Sequence, residues 1–568
     1  MEGIGFKQVN YHYPRTERAS LKNINLSLKK GRFYVLMGET GAGKSTLLKC
    51  INGVIPQLEE GTLTGEVSIE GQSIERVRVQ ELTQVVGLVM QDAETQILGR
   101  TVEEDVAFGP RNYLVPKEEI FQRIADVLRL VRLDGYQKRD SDSLSGGEKQ
   151  RLVLADILAM HPEYLLLDEP TSELDPLGRE EIYQVIKDLR KDEAKTILAV
   201  EHSSQDIIEK ADEIIVLKEG EILWKGDTKT FFTSEEVLEE SGVKPIPVAS
   251  LGIQLAKAGF IDESEIPVTL EEARQVVGKL LDGVKLQSEQ RTPETKEPVI
   301  DIENMSFRYK DTWVFEDFHL KIPAGSFTAI IGQNGSGKTT LAKQLNGLLT
   351  PQKGSIRIQG RDIVGKKPEA LAEQIGYVFQ NPDHQIFSAS LYDEIAFGLK
   401  RLKLPSEERE QRIQEALLFT GLEEFKNHHP FSIGKGERQK LAVASILALR
   451  PSILVVDEPT TGQDWHGIKV MMDMMEALHS QGVTIIMITH DMDVVSAYAD
   501  HVILLGEGKL LAQGSPADVF VQTDLLKSSC VTAPQLVELC MALEQPVLMT
   551  EEALFAAIFE AKGGSYVE

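Results

Sequence analysis

Two stretches of this chain have the residue types and spacing to hold a polyphosphate. Gly38, Glu39, Thr40, Gly41, Ala42, Gly43, Lys44 and Ser45 form a Gly-x4-Gly-Lys-Ser run; Gly332, Gln333, Asn334, Gly335, Ser336, Gly337, Lys338 and Thr339 repeat it with threonine last. Glycines at this spacing let consecutive backbone N–H groups turn inward around phosphate oxygens, and a helix beginning at the lysine adds its positive end. Lys44 and Lys338 would reach the β- and γ-phosphates, and Ser45 and Thr339 would offer a hydroxyl to Mg2+. Asp168 and Asp457, at the ends of apolar runs, would hold that ion through its water shell. One residue on, Glu169 and Glu458 could polarise a water in line with the γ-phosphate, and His202 and His490 could contact the same phosphate. The chemistry is transfer of a phosphoryl group to water.

These side chains can act only if strands and helices gather them. Arg32 to Met37 and Ser326 to Ile331 are strand-like and run directly into the glycine-rich stretches, while the residues opened by Thr46 and Thr340 look helical. Leu165-Leu-Leu-Asp-Glu-Pro170 returns as Leu454-Val-Val-Asp-Glu-Pro459, and each histidine follows a further apolar run, Thr196 to Val200 and Thr484 to Ile488. The same features in the same order make the chain two homologous halves. Each reads as a short β-rich entry, strand, phosphate loop, helix, helical insertion, apolar strand, helix and strand, which predicts an α/β core with parallel strands. Thr269-Leu-Glu-Glu-Ala273 and Thr550-Glu-Glu-Ala553 open a helix near the end of each half, Thr269 and Glu272 at capping-box spacing. Residues 284–297 are polar and aperiodic, an exposed linker. The expected domains are 1–240, an extension with linker at 241–297, a second domain at 298–525 and its extension at 526–568.

Composition sets the outer limits. With 568 residues, 42% hydrophobic and 26% charged, the chain can bury several cores. Its 61 Lys plus Arg against 88 Asp plus Glu give a net charge of −27, which repels a polyanion, so nucleic acid is not an expected partner. Cys50, Cys530 and Cys540 offer neither a disulfide framework nor metal-ligand spacing, which suits a reducing compartment. No apolar run approaches the roughly 18 residues of a membrane span, and the N-terminus lacks signal-peptide character. The expected location is inside the cell.

Between the first phosphate loop and Asp168 lies Leu144-Ser145-Gly146-Gly147-Glu148-Lys149-Gln150-Arg151. With it the chain resembles, over nearly its whole length, an ATP-binding-cassette ATPase with two fused cassettes. The resemblance implies two tandem P-loop NTPase domains, each with a β-rich subdomain, a RecA-like core, a helical subdomain and a short C-terminal extension. It implies ATP and Mg2+ as ligands, with Thr46 and Thr340 counted in the phosphate cradles. It also implies that the cassettes pair within the chain, each phosphate loop completed by the serine-glycine run of the other half. Gln91 and Gln380 match the family's glutamine loop, which senses metal and γ-phosphate and touches a transmembrane partner. Tyr13 and Tyr309 match the aromatic that stacks on adenine.

Within the family the chain is similar to the ATPases of energy-coupling-factor importers, which take up vitamins and metal ions. Gln91-Asp-Ala-Glu-Thr-Gln-Ile-Leu98 with Glu104-Asp-Val-Ala-Phe-Gly109, and Gln380-Asn-Pro-Asp-His-Gln-Ile-Phe387 with Asp393-Glu-Ile-Ala-Phe-Gly398, carry that likeness. It implies an integral membrane coupling protein and a membrane substrate-binding subunit as partners, with this chain peripheral at the cytoplasmic face of the cell membrane. Asp92, Glu94 and Asp383 are the candidates to receive arginines from the coupling protein.

The second half departs from the pattern. Where the first has Ser145 and Gly146, the second has Gly434 and Lys435, so a hydroxyl donor is lost and a cation is gained. If the sites are composite, this affects the nucleotide held by Gly38 to Ser45, while the one held by Gly332 to Thr339 receives the intact run. Unequal sites are expected, with Glu458 carrying most turnover. A rival reading is a soluble tandem cassette ATPase that remodels ribosomes. It would need a basic helical arm, but residues 242–297 hold seven basic against nine acidic residues and are interrupted by prolines.

Overall fold

The computed structural model describes residues 2–563 apart from 17, 173, 191–194 and 288–296. The chain forms two compact units, residues 1–253 with 464–466, and residues 254–463 with 467–568. It is α/β, and each half is a tandem copy of one P-loop cassette architecture.

In the first unit a four-stranded antiparallel sheet runs Leu21–Lys29, Glu2–His12, Thr62–Ile69, Gln72–Ser73. Beside it a six-stranded sheet runs Glu221–Gly226, Glu213–Lys218, Phe33–Met37, Thr196–Val200, Tyr164–Asp168, Val86–Val89; all pairs except the first are parallel. Phe33–Met37 and Thr196–Val200 are buried throughout, as expected of strands covered on both faces and therefore apolar without alternation. The phosphate loop, Asp168 and Glu201-His202 all lie at the carboxyl ends of these strands, the edge at which an open parallel sheet offers its crevice. The helical part is built by amphipathic Lys117–Leu130, which buries Ile120, Ile124, Val127 and Leu128 at helical spacing, and by Gly146–Leu158.

The second unit repeats this plan. Its four-stranded sheet runs Thr312–Pro323, Pro298–Tyr309, Lys353–Ile358, Arg361–Asp362, and its six-stranded sheet Ile375–Val378, Ile453–Asp457, Thr484–Ile488, Phe327–Ile331, His501–Gly506, Lys509–Gly514. Leu391–Leu399, Ser406–Thr420 and Lys435–Leu447 enclose a helical core of their own. Also in this unit, Leu270–Leu280 packs on Gln535–Ala542, and the Phe260 and Phe559 rings meet edge to face at 5.8 Å. No helix among the described residues is long and apolar enough to cross a membrane.

Two local expectations are revised. Thr269 caps Leu270–Leu280 by accepting from Glu272 N at 3.2 Å, but the Glu272 carboxylate accepts from Val268 N at 2.8 Å instead of completing a reciprocal box. The start of the segment read as an exposed linker is docked: Leu286 is buried, its N–H donates to Gln545 Oε1, and Gln545 Nε2 donates to the Val284 carbonyl, both at 2.9 Å. The amide satisfies backbone groups that would otherwise need water. Residues 288–296 lie outside the described residues.

The first helical part also buries two facing carboxyls. Asp105 Oδ1 accepts from Leu98 N and Gly99 N at 2.9 and 2.7 Å, while Asp105 Oδ2 and Asp156 Oδ1 are buried without a hydrogen-bond partner among the described residues. Burial first, and the Asp105 carboxyl second, push Asp156 well above the ordinary carboxylate range. Asp156 therefore holds its proton to higher pH in the folded chain than in the unfolded one. Stability is full below the unfolded pKa and falls as pH rises toward the folded one, by about 1.4 kcal/mol per pH unit. Asp156→Asn, which mimics the neutral carboxyl, should raise the thermal midpoint more at pH 8 than at pH 5 in differential scanning calorimetry. The same shift at both values would contradict a raised Asp156 pKa.

Candidate functional site

Each phosphate loop joins a buried strand to a buried helix start. Gly38 and Gly332 have φ of 130° and 144°, and a Cβ there would lie 2.0 and 2.1 Å from the Leu217 and Leu505 carbonyl oxygens, so only glycine fits. Lys44 and Lys338 are buried. Lys44 Nζ donates to the Gly38 and Glu39 carbonyls at 2.8 and 2.9 Å, and Lys338 Nζ to those of Gly332 and Gln333 at 2.7 and 3.0 Å. Desolvation holds the Lys44 ammonium below its ordinary pKa, against the opposing pull of Glu169 and Asp168. An anion in the loop would oppose that lowering and favour the charged lysine, in place of the carbonyl partners.

The strand-end aspartates fit a divalent cation. Burial raises the pKa of Asp168 and of Asp457, while hydroxyl bonds from Ser45 and from Tyr377 and Thr339 oppose the rise. Tyr377 Oη donates to Asp457 Oδ2 at 2.7 Å, leaving Asp457 Oδ1 buried with no partner among the described residues. An orphaned buried carboxylate oxygen beside a phosphate-loop hydroxyl is what a hydrated Mg2+ would satisfy. The same Tyr377 is pushed far up by burial and by Asp457, so it stays a donor.

Glu169 and Glu458 follow directly, and both adopt left-handed backbone, φ 51° and 48°, which costs a side-chain-bearing residue about 1–2 kcal/mol. Their N–H groups are held by the Val200 and Ile488 carbonyls at 3.2 and 2.8 Å. Strain kept at the same point in both halves aims each carboxylate off its strand. His202 Nε2 lies 3.0 Å from Glu169 Oε1, and His490 Nε2 lies 3.1 Å from Glu458 Oε1 and 3.1 Å from Asn334 Oδ1. Gln91 Nε2 donates to Glu169 Oε2 at 2.7 Å. Within each half, then, phosphate loop, aspartate, glutamate and histidine converge. Gln380 lies exposed just beyond the strand Ile375–Val378.

The remaining candidates are more scattered. Tyr13 Oη is 3.2 Å from Thr46 Oγ1, and its ring meets Tyr11 edge to face. Tyr309 is 47% exposed, edge-on to Phe307. Ser145 caps Gly146–Leu158 with a full capping box: its hydroxyl accepts from Glu148 N at 3.3 Å and its N–H donates to Glu148 Oε2 at 2.7 Å. A Cβ on Gly146 would meet nothing within 4 Å and one on Gly147 only Leu174, so this helix start is open. Gly434 begins Lys435–Leu447 with no side-chain cap. Of the acids expected to receive a partner's arginines, Asp92 caps its own turn through Glu94 N at 3.0 Å, Glu94 pairs with Lys149 at 2.5 Å, and Asp383 pairs with Arg438 at 2.6 Å. A partner's guanidinium would have to share these carboxylates with the cassette's own cations.

Two contributors escaped the sequence reading. Tyr377 occupies the place of Leu88 in the first half, a polar departure in an otherwise apolar strand that could have flagged a buried acceptor. Glu201, beside His202, is buried and accepts from the Thr171 hydroxyl.

Comparison with known proteins matches the family model "ABC transporter" to residues 21–172 and 315–461. A protein of Caldanaerobacter subterraneus, provisionally named an ABC transporter ATP-binding protein, is 37% identical over 96% of this chain and 97% of its own length. YkoD of Bacillus subtilis, provisionally named an HMP/thiamine import ATP-binding protein, is 35% identical over 96% and 97%. A solved structure, cbiO1 from Clostridium perfringens, described as part of the ABC transporter complex cbiONQ, is 36% identical over 41% of this chain and 94% of its own, with a TM-score of 0.38.

Proposed function

This chain belongs to the ABC transporter family, and from that premise we propose that it is the ATP-hydrolysing subunit of an energy-coupling-factor type importer for a vitamin or metal ion. The observation that carries hydrolysis is the convergence, in each half, of a phosphate loop, a strained glutamate and a histidine within 3.1 Å of it. Import is supported by the full-length likeness to a protein named for HMP/thiamine import.

The loop N–H groups with Lys44 and Lys338 bind the phosphates, and Tyr13 and Tyr309 carry the adenine. Ser45, Asp168 and Gln91, or Thr339, Asp457 and Gln380, would hold Mg2+, which would neutralise developing phosphate charge when bound. Glu169 and Glu458 take a proton from the attacking water at their Oε atoms, while His202 and His490 orient them and reach the γ-phosphate. By the pairing that the family resemblance implies, Ser145, Gly146 and Gly147 would complete the site whose phosphate loop is in the other half.

The membrane partners would be an integral coupling protein and a substrate-binding subunit, with this chain peripheral on the cytoplasmic face. Near the glutamine loops, apolar side chains stand in water: Leu98 is 67% and Phe108 50% exposed in the first half, Phe387 62% and Phe397 47% in the second. Phe387 and Phe397 stack edge to face at 4.7 Å, close in sequence to Asp383. Such a patch fits an amphipathic helix with basic and apolar residues.

The test is to tag the protein in its native cell, separate membranes from ribosomes, and identify by mass spectrometry what co-purifies from each. One or two multi-span proteins recovered after detergent extraction are expected, with recovery strongly reduced by Phe387→Asp. Recovery with ribosomes and no membrane partner would overturn the importer reading in favour of a remodelling ATPase.

A further inference from the structure

The strained backbone of Glu169 has to be held from both sides. Upstream, its N–H is tied to the Val200 carbonyl at 3.2 Å. Downstream, Ser172 binds the Glu169 carbonyl through its N–H at 3.3 Å and its hydroxyl at 3.2 Å. Between them Thr171, 2% exposed, donates its hydroxyl to both oxygens of the Glu201 carboxylate, at 3.2 and 3.0 Å. Glu201 is itself 3% exposed, and its N–H reaches the Leu36 carbonyl on the strand that enters the phosphate loop. One buried residue therefore joins three chain segments: its backbone N–H holds the strand before the phosphate loop, its carboxyl holds the turn after Glu169, and it stands next to His202.

The second half is built differently at this point. Thr489 replaces Glu201, and its hydroxyl stands 3.5 Å from the Thr460 hydroxyl, at the limit of a hydrogen bond. It accepts instead from Asp491 N at 3.0 Å, serving the turn that follows His490. The carboxyl anchor, which offers Thr171 two oxygens, stands in the first half, and a threonine hydroxyl at the limit of a hydrogen bond stands in the second.

We infer that Glu201 is a positioning residue for the first phosphate site: by anchoring Thr171 it fixes the turn from Glu169 to Ser172 and so the aim of the Glu169 carboxylate. This rests on the ATPase reading, and it adds a residue that neither touches phosphate nor belongs to the repeated motifs. Displacement of a reacting group by about 1 Å can cost on the order of 10²-fold in rate. Loss of an anchor two residues away should cost about tenfold, with little effect on nucleotide affinity, because the phosphate cradle is made by other residues.

The test uses single-turnover hydrolysis of ATP radiolabelled on its γ-phosphate, in a Glu458→Gln background that isolates the first site and a Glu169→Gln background that isolates the second. Glu201→Thr and Thr171→Val should each slow the first site about tenfold with half-saturating ATP within about twofold. Glu201→Gln, which keeps an acceptor for Thr171, should stay within about threefold, and Glu201→Thr should leave the second site's rate unchanged. Equal slowing in both backgrounds, or weaker saturation at an unchanged rate, would overturn the assignment. Binding of a fluorescent ATP analogue to the parent protein separates the two levels of argument: absence of binding defeats the ATPase reading, whereas normal binding with an unaltered first-site rate defeats the anchor.

Discussion

Glu458→Gln is expected to lower steady-state ATP turnover by on the order of 10²-fold or more, leaving almost none, while Glu169→Gln leaves a substantial fraction. In the proposed pairing, the nucleotide on the Gly332-to-Thr339 loop is completed by Ser145, Gly146 and Gly147. Those residues form an intact helix start with a capping serine and open space over Gly146. By the same pairing the nucleotide on the Gly38-to-Ser45 loop would meet Gly434, which has no hydroxyl, and Lys435, a side chain where the first half has glycine. Removing one preorganised donor costs catalysis about 10²–10³-fold in well-measured cases. The check is the steady-state ATPase rate of the two purified variants at saturating Mg-ATP; equal losses would contradict unequal sites.

Restoring the first half's residues in the second, Gly434→Ser with Lys435→Gly, should raise turnover at the first site by about tenfold or more when measured in the Glu458→Gln background. The backbone is ready for it. Gly434 has φ −66° and ψ 166°, and Ser145 has φ −67° and ψ 162°, so a serine meets no strain. A Cβ at Gly434 would come 2.5 Å from Glu437 Oε2, the end of a flexible side chain, which can swing to complete a box as Glu148 does with Ser145. An unchanged rate would mean that Lys435 already supplies the missing contact through its ammonium, and that the two runs are functionally equivalent.

The phosphate loops, the strand-end carboxylates and the following histidines were legible in the chain because their chemistry is local: glycines at fixed spacing, apolar strands without alternation, and acids at their ends. Repetition in both halves removed the ambiguity that a single copy leaves. What the sequence could not show were partners chosen by packing. Glu94 and Asp383 read as acceptors for a partner's arginines, yet each is paired with a cation of its own cassette 55 residues away. Gln545 secures Val284 and Leu286 across more than 250 residues, which no periodicity could foretell. Asp156 is one acid among many in the sequence, and only its burial against Asp105 raises its pKa. Tyr377 and Glu201 each stand where the other half has a different residue, so the repeat that exposed the shared machinery concealed these two as variation.

The divergence between halves is concentrated around a common frame. The six-stranded sheets have the same order and the glutamates share left-handed backbone, whereas the helix start, the anchor beside the histidine and the partner of the second aspartate differ. On the proposed function, a frame kept identical with unlike fittings would suit one motor in which a single hydrolysis drives reopening and the other nucleotide serves mainly to hold the closed state.

Vanadate trapping of a photoreactive ATP analogue labelled on its α-phosphate tests that claim most directly. After Mg2+-dependent trapping and illumination, label is mapped to peptides of each half by mass spectrometry. The account predicts that trapped label is recovered mainly from the half carrying Gly332 to Thr339 and disappears with Glu458→Gln. Equal label in both halves, or label that persists mainly near Gly38 to Ser45, would contradict it.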